Sequence, residues 1–299
     1  MTPNGQIEPV SYMTHALDLI RDYALNWPDK AETDFRTRYL KASGSVTDAN
    51  ELHNLVNRAL KELNDGHSRL VTPTSTPGRA PKRPEGKLEN SVAVLSVPAC
   101  ISPSQVEAQT YANDLARQIQ NLARSEPLGW VIDLRGNFGG NMWPMLAGLY
   151  PLTGPGVVGA FIDREGRRQA WILSWGSAFL GDQIRCSIKA DLAQHQQNGR
   201  IAVLTDTKTA SSGEAIAAAF RGWSRARSFG NLTAGLSTAN SSFEMPDGCT
   251  LAITSGVFMD RKGNAYGGPL TPDELVDWLP GSGIDHVMEE ANAWLKTRA

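Results

Sequence analysis

Ser211 and Ser212 stand where an apolar run (Ile201, Ala202, Val203, Leu204) has passed through a polar turn at 205–209 and an alanine-rich segment begins, with Ile216, Ala219 and Phe220 on one side. That order predicts a strand, a tight turn and a helix. A serine at such a helix start faces backbone N–H groups that have no partner within the helix. It can act as a nucleophile whose oxyanion is held by a neighbouring amide, or Thr209, Ser211 or Ser212 can cap the helix. A second turn, Asp133-Leu134-Arg135-Gly136-Asn137-Phe138-Gly139-Gly140-Asn141, follows an apolar strand at 130–134. Its glycines permit positive φ and let N–H groups approach an anion closely. The spacing is neither a dinucleotide fingerprint nor a P-loop, which leaves an anion nest, or a tight turn in which Asp133 pairs with Arg135.

A serine nucleophile needs a base, and the histidines are His15, His53, His67, His195 and His286. No lysine occurs between Lys208 and Lys262, so a lysine in the segment following the serine is excluded. His15 and His53 fall on expected helices, His286 on the C-terminal one and His195 in a polar region. His67 differs: it follows Asp65-Gly66 just beyond a helix, where a loop can aim an imidazole into a cleft.

The elements that must position these groups are legible from periodicity. Met13, Ala16, Leu17, Ile20 and Ala24 predict a helix ending near Trp27-Pro28, and Phe35 and Tyr39 a second one stopped near Gly44. Leu52, Leu55, Val56, Ala59, Leu60 and Leu63 form a stripe between the capping candidates Thr47 and Asp48 and the stop Asn64-Asp65-Gly66. Residues 1–70 are thus expected to be an N-terminal helical bundle carrying His67. Residues 71–90, with Pro73, Pro77, Pro81 and Pro84, read as a solvated linker, locally basic over 79–87. From 91 to 299 strands at 92–97 and 130–134 alternate with a helix through Tyr111, Leu115, Ile119 and Leu122, implying an α/β core. A hairpin is expected over 157–173, a strand near 252–259, and a last helix with Ile284, Val287, Met288, Ala291 and Leu295. Within the core, the region around 157–200, polar with scattered aromatics over 173–199, reads as a cap over the cleft or a surface excursion.

Composition narrows the function. With 299 residues, 41% hydrophobic and 20% charged, the chain is an ordinary globular sequence. A net charge of −2 gives no case for nucleic acid or an anionic membrane. Cys100, Cys186 and Cys249 are few and far apart, indicating neither a disulfide framework nor a zinc cluster and leaving room for one bridge at most. The acidic residues show no metal-ligand spacing, so no metal and no cofactor is expected, and activity is expected to survive chelation. No basic segment precedes an apolar run and no stretch is long enough to span a bilayer, so the chain as written reads as soluble, cytoplasmic, or extracytoplasmic after loss of an export signal.

Three motifs in order, Leu63-Asn64-Asp65-Gly66-His67-Ser68, Ile132-Asp133-Leu134-Arg135-Gly136-Asn137-Phe138-Gly139-Gly140 and Thr209-Ala210-Ser211-Ser212-Gly213-Glu214, resemble those of the carboxyl-terminal processing and tricorn-type serine peptidases. The resemblance continues through Leu232-Thr233-Ala234-Gly235 and Tyr266-Gly267-Gly268-Pro269-Leu270-Thr271-Pro272-Asp273, and is greatest toward the branch of the nisin resistance protein, which has no PDZ domain. It implies an α/β crotonase-like (ClpP/crotonase) protease core with a cap insertion and a helical N-terminal bundle. It implies Ser211 as nucleophile, His67 as general base, and an oxyanion hole from the Ser212 amide with Gly139 or Gly140. The substrate would be a peptide or unstructured protein segment, bound extended as an added strand. Two departures are evident. The lysine of the Ser-Lys branch is missing, and glycines at Tyr266-Gly267-Gly268 stand where a late glutamate would orient the histidine. Ser68, Glu214, Asn240 and Asp260 are the candidate supporters. The reading from another class is a non-catalytic peptide- or ligand-binding protein on the same scaffold.

Overall fold

The computed structural model describes residues 8–27, 32–73, 82–101, 104–194, 199–277 and 283–297. The chain opens with helices α1 (Pro9–Tyr23), α2 (Glu32–Ser43) and α3 (Ala49–Glu62), then strands β1 (Arg69–Val71), β2 (Glu85–Glu89) and β3 (Val92–Ser96). Helix α4 (Gln105–Ala123), strand β4 (Gly129–Asp133) and helix α5 (Met142–Thr153) follow. Next come β5 (Gly156–Asp163), β6 (Arg168–Ser174), β7 (Ser177–Leu180), β8 (Gln183–Ser187) and β9 (Arg200–Thr205). The chain closes with α6 (Ser212–Phe220), β10 (Ala226–Gly230), β11 (Thr238–Glu244), β12 (Thr250–Asp260), β13 (Glu274–Leu275) and α7 (His286–Lys296). No helix among the described residues is long and apolar enough to cross a membrane.

Two compact units result. The first comprises Met1–Arg79, Asp163–Arg167 and Thr238–Gly256. Its core unites the apolar faces of α1, α2 and α3 with Met245, Cys249, Leu251 and Ile253 around the β11–β12 turn. Helix α3 starts where Asp48 accepts from the Glu51 N–H, as a capping residue should, and its buried stripe is the one its periodicity predicts. Strand β1 pairs antiparallel with the start of β12, with Leu70 opposite Leu251.

The second unit comprises Ala80–Ile162, Arg168–Ser237 and Val257–Ala299. Its six-stranded sheet has the order β13-β10-β9-β4-β3-β2, parallel except where β2 runs antiparallel to β3. Residues Glu85–Glu89, read in the sequence as part of a linker, are thus an edge strand, polar because only one of its sides has a neighbour. On one face of the sheet Val94, Val131, Ala202 and Phe229 pack against Val287, Ala291 and Leu295 of α7. The alternate residues Leu95, Trp130, Ile132 and Val203 are as deeply buried on the other face, where α4 and α6 lie with α5 packed on them. The hairpin expected over 157–173 is formed by β5 and β6, and the polar stretch after it continues the antiparallel ladder through β7 and β8.

Parallel pairing has one consequence for function. Strands β3, β4, β9 and β10 deliver their carboxyl ends to the same edge of the sheet, where ligands of such folds bind. The loops leaving that edge are stitched together: the Val97 N–H bonds the Asp133 carbonyl, the Leu134 N–H the Leu204 carbonyl, and the Ala210 N–H the Asn137 carbonyl.

Candidate active site

Ser211 ends the loop after β9 and has φ +52° and ψ −118°. A positive φ is rare for a residue with a side chain and is costly unless its surroundings enforce it. Here they do. Glu214 is fully buried, and its carboxylate accepts from the Ser211 N–H at 2.8 Å, the Leu236 N–H at 2.8 Å, the Gly235 N–H at 2.9 Å and the Thr233 hydroxyl. Burial raises the Glu214 pKa, and these four donors pull the other way. Replacing it by glutamine turns an amide N–H₂ toward one pair of these donors, either the Ser211 and Leu236 N–H groups or the Thr233 hydroxyl and the Gly235 N–H. Glu214→Gln is therefore expected to lower stability by about 3 kcal/mol, read from the denaturant midpoint, and to slow any chemistry at Ser211; an unchanged midpoint would mean the carboxyl is already protonated.

Of the three hydroxyl residues that sequence proposes as caps, Ser211 holds the N-cap position in a capping box with Glu214, whose carboxylate accepts from the Ser211 N–H, while Thr209 and Ser212 are engaged elsewhere. Thr209 Oγ1 donates to the Leu134 carbonyl or Asp206 and accepts from the Asp206 N–H. Ser212 Oγ donates to the Gly140 carbonyl.

The glycine-rich turn after β4 lies directly against this serine. A Cβ on Gly139 would meet Ser211 Cβ at 2.9 Å and the Ser212 nitrogen at 3.2 Å. Gly139 and Gly140 have φ of +115° and +94°, so glycine is needed at both. Asn137, fully buried, fixes the turn: its Nδ2 donates to the Val97 carbonyl and its Oδ1 accepts from the Gly139 N–H at 3.0 Å. The Gly139 N–H is thereby occupied. Among the described residues the N–H groups of Gly140 and Ser212 have no acceptor, and so can receive a developing anion. Asp133 and Arg135 form the expected pair, and Arg135 also reaches Asp285 at 2.8 Å, tying the start of α7 to this edge.

His67 lies in the first unit. Asn64 and Gly66 adopt left-handed conformations after α3, and Asp65 Oδ1 accepts from the N–H groups of His67 at 2.9 Å and Ser68 at 2.7 Å, which turns the imidazole out of the helix line. His67 as a residue is 6% exposed, and its ring Nδ1 bonds Thr238 Oγ1 at 2.8 Å. With that hydroxyl accepting, the lone pair resides on Nε2, the state a general base requires. Burial, and secondarily the Arg69 charge, lower the His67 pKa to about 4 against the opposing pull of Asp65.

The candidate supporters occupy different places. Ser68 Oγ donates to Asp65 and accepts from the Thr254 N–H. Asn240 Nδ2 donates to the His67 carbonyl at 3.3 Å, while its Oδ1 accepts from Thr254 Oγ1, so both buttress the loop that carries the ring. Glu214 holds the backbone around Ser211. Asp260 belongs to the second unit, where it organises its own turn through the N–H groups of Lys262 and Asn264 and the Tyr266 hydroxyl. Sequence reasoning missed Thr238, which no spacing marks, and gave no role to Asn137, although it lies within the glycine-rich motif. Of the other histidines, His15 is on α1, His286 opens α7 beside Glu289, and His195 lies outside the described residues. His53 on α3 bonds Asp247 at 2.7 Å. All three cysteines are buried and none is in a disulfide.

A parallel-sheet edge that presents a strained serine at a helix start beside a glycine nest defines a mixed α/β hydrolytic scaffold. Residues 91–276 match peptidase family S41, and the chain belongs to that family. Membership places it among peptidases, a family that acts on peptides or proteins. It is 27% identical to the nisin-resistance protein of Lactococcus lactis subsp. lactis over 286 residues, covering 94% of this chain and 88% of that protein. Among solved structures, a lipoprotein from Streptococcus agalactiae superposes with a TM-score of 0.80 at 24% identity, covering 98% of each chain. The photosystem II D1 C-terminal processing protease has the same fold, with a TM-score of 0.64 at 14% identity and 98% coverage of each chain.

Proposed function

We propose that this chain is a serine endopeptidase in which Ser211 attacks the scissile carbonyl and His67 Nε2 takes the hydroxyl proton. The tetrahedral oxyanion is received by the N–H groups of Gly140 and Ser212, with Gly139 leaving room for both. Collapse expels the amine, which takes the proton back from His67, and leaves an acyl-enzyme that water hydrolyses by the same route. Thr238 fills the place that an acid has in a three-member triad, orienting the ring without adding charge. The core is read as crotonase-like, with the helices of residues 1–70 bringing the base and the strands around 157–200 capping the cleft.

The observation that carries this reading is the conformation of Ser211, held by a buried carboxylate beside two N–H groups that have no acceptor among the described residues. A fluorophosphonate should label Ser211 stoichiometrically, as found by mass spectrometry of the tryptic peptide. An unlabelled Ser211 in folded protein would favour a binding protein on this scaffold. The likeness to the nisin-resistance protein makes nisin the first peptide to assay, with proteome-derived peptide libraries beside it and Ser211→Ala as control.

The pH profile follows from the His67 environment. Since only the neutral ring accepts a proton, kcat/KM should fall on the acid side with a limb near the lowered pKa of about 4, below the ordinary imidazole value of about 6.5. The sign for stability is the same. The unfolded chain binds a proton at His67 below about 6.5 and the folded chain only near 4, so this stabilising contribution is complete above 6.5 and lost as pH falls through that window. A limb at or above the ordinary value, removed by His67→Ala, would show that a carboxylate faces the ring in the working enzyme.

A further inference from the structure

We propose that the first unit contains a binding site for a divalent transition metal of the zinc class, formed by His53 Nε2, Asp247 Oδ2 and Cys249 Sγ. Their spacing in sequence conceals it, since His53 and Asp247 are 194 positions apart. The three donor atoms lie within 4.8 Å of one another. The separations are 2.7 Å from nitrogen to oxygen, 3.1 Å from sulfur to oxygen and 3.6 Å from sulfur to nitrogen. Tetrahedral zinc with its usual bond lengths sets neighbouring donors roughly 3.3–3.6 Å apart, so only the two shorter contacts need to open, by less than about 1 Å.

Local sequence explains how the donors meet. Met245-Pro246-Asp247-Gly248 is a turn closed by the Gly248 N–H on the Met245 carbonyl, and Gly248 has φ +77°, a conformation suited to glycine. Asp247 and Cys249 therefore project from the tip of the β11–β12 hairpin, while His53 comes from α3 at the margin of its buried stripe. The carboxylate is oriented from behind. Its other oxygen, Oδ1, accepts from the Tyr12 hydroxyl at 3.1 Å and the Cys249 N–H at 3.1 Å, leaving Oδ2 directed at the imidazole and the thiol. Outer hydrogen bonds of this kind hold metal ligands in place.

Charge also fits. One thiolate, one carboxylate and a neutral imidazole cancel the two positive charges of the ion, which is the balance a buried site favours. Cys249 and Tyr12 are 1% and 2% exposed, whereas the His53 side chain is 16% exposed and the Asp247 side chain 9%, which gives an ion a way in and water a fourth position. Binding forms the sulfur–metal bond as the Cys249 S–H proton leaves to solvent. No electron is transferred.

The consequence is mechanical. The same hairpin begins at Thr238, the ring partner of His67, and α3 runs into the loop that bears His67, so an ion clamping His53 to the hairpin tip stiffens that support. The site touches no reacting atom in the proposed chemistry, so removing the ion should lower Tm without abolishing turnover.

The test uses the full chain stripped with chelator and titrated with Co²⁺ and Zn²⁺. Co²⁺ should bind at one equivalent with a thiolate-to-cobalt charge-transfer band and the visible bands of a tetrahedral ion, and Zn²⁺ should displace it. At a hundredfold excess over its Kd, Zn²⁺ should raise Tm by about 5 °C. Cys249→Ser should lose the charge-transfer band, His53→Gln should lose the tetrahedral bands, and Tyr12→Phe should weaken binding by about 10- to 100-fold. If Cys249→Ser does not fold, selective alkylation settles the point, since bound Zn²⁺ should shield Cys249 alone among the three cysteines. Absence of the band in folded parent protein, or its persistence in Cys249→Ser, would overturn the proposal and leave the three side chains as a hydrogen-bonded cluster.

Discussion

Ser211→Ala and His67→Ala are each expected to lower kcat/KM by on the order of a million-fold, with the double variant no slower than either one. The magnitude follows from both groups acting in one step. Without the hydroxyl there is no acyl-enzyme, and without the imidazole the hydroxyl keeps a proton it cannot lose near neutral pH. Non-additivity is the informative part, because the two residues sit in separate units of the chain and their cooperation is a claim about function. Losses that multiply in the double variant would show that they act independently. Ser211→Ala should fold normally, since Glu214 holds the backbone N–H at that position and not the side chain. His67→Ala removes a buried ring and so requires a stability measurement beside the kinetics.

Gly140→Ala is the second large effect expected, a loss of about 100- to 1000-fold in kcat with a much smaller change in KM. A Cβ at Gly140 would stand 2.3 Å from the Cys100 carbonyl oxygen, and that oxygen already accepts from the Asn141 N–H. The backbone has to rotate away, and the Gly140 N–H turns with it. Since an oxyanion exists only in the transition state and the intermediate, displacing its donor acts on kcat more than on substrate affinity. Gly139→Ala should be slower still for a different reason, because its Cβ would push on Ser211 itself. A folded Gly140→Ala protein with the parent kcat would remove the oxyanion role from this turn. Circular dichroism and a denaturant midpoint separate that result from simple unfolding.

Much of this was present in the order of residues. An apolar run, a polar turn and an alanine-rich segment determined that Ser211 opens a helix, because only that succession buries the run and the helix face together. Glycines at 136, 139 and 140 determined a turn with positive φ, and Asn64-Asp65-Gly66 determined that α3 stops just before His67. These are local decisions, made by backbone sterics and side chains within one or two turns of each other. Several strands were not legible for the converse reason. β2 and β10 are short and lack a β-branched run, and they exist because a neighbouring strand offers hydrogen bonds.

Tertiary structure decided the distant partners. Glu214 is local to Ser211, three residues on in a capping box, but its carboxylate also accepts from Thr233, Gly235 and Leu236 only because packing brings that loop onto it. That Thr238 faces His67 from 171 positions away, and that Cys249 joins His53 and Asp247, required the β11–β12 hairpin to fold against α3. Periodicity records which face of an element is buried, but it carries no record of what lies opposite. For this chain the candidate residues for chemistry could be named from sequence, while the groups around them, Thr238 at His67 above all, were fixed by non-local packing.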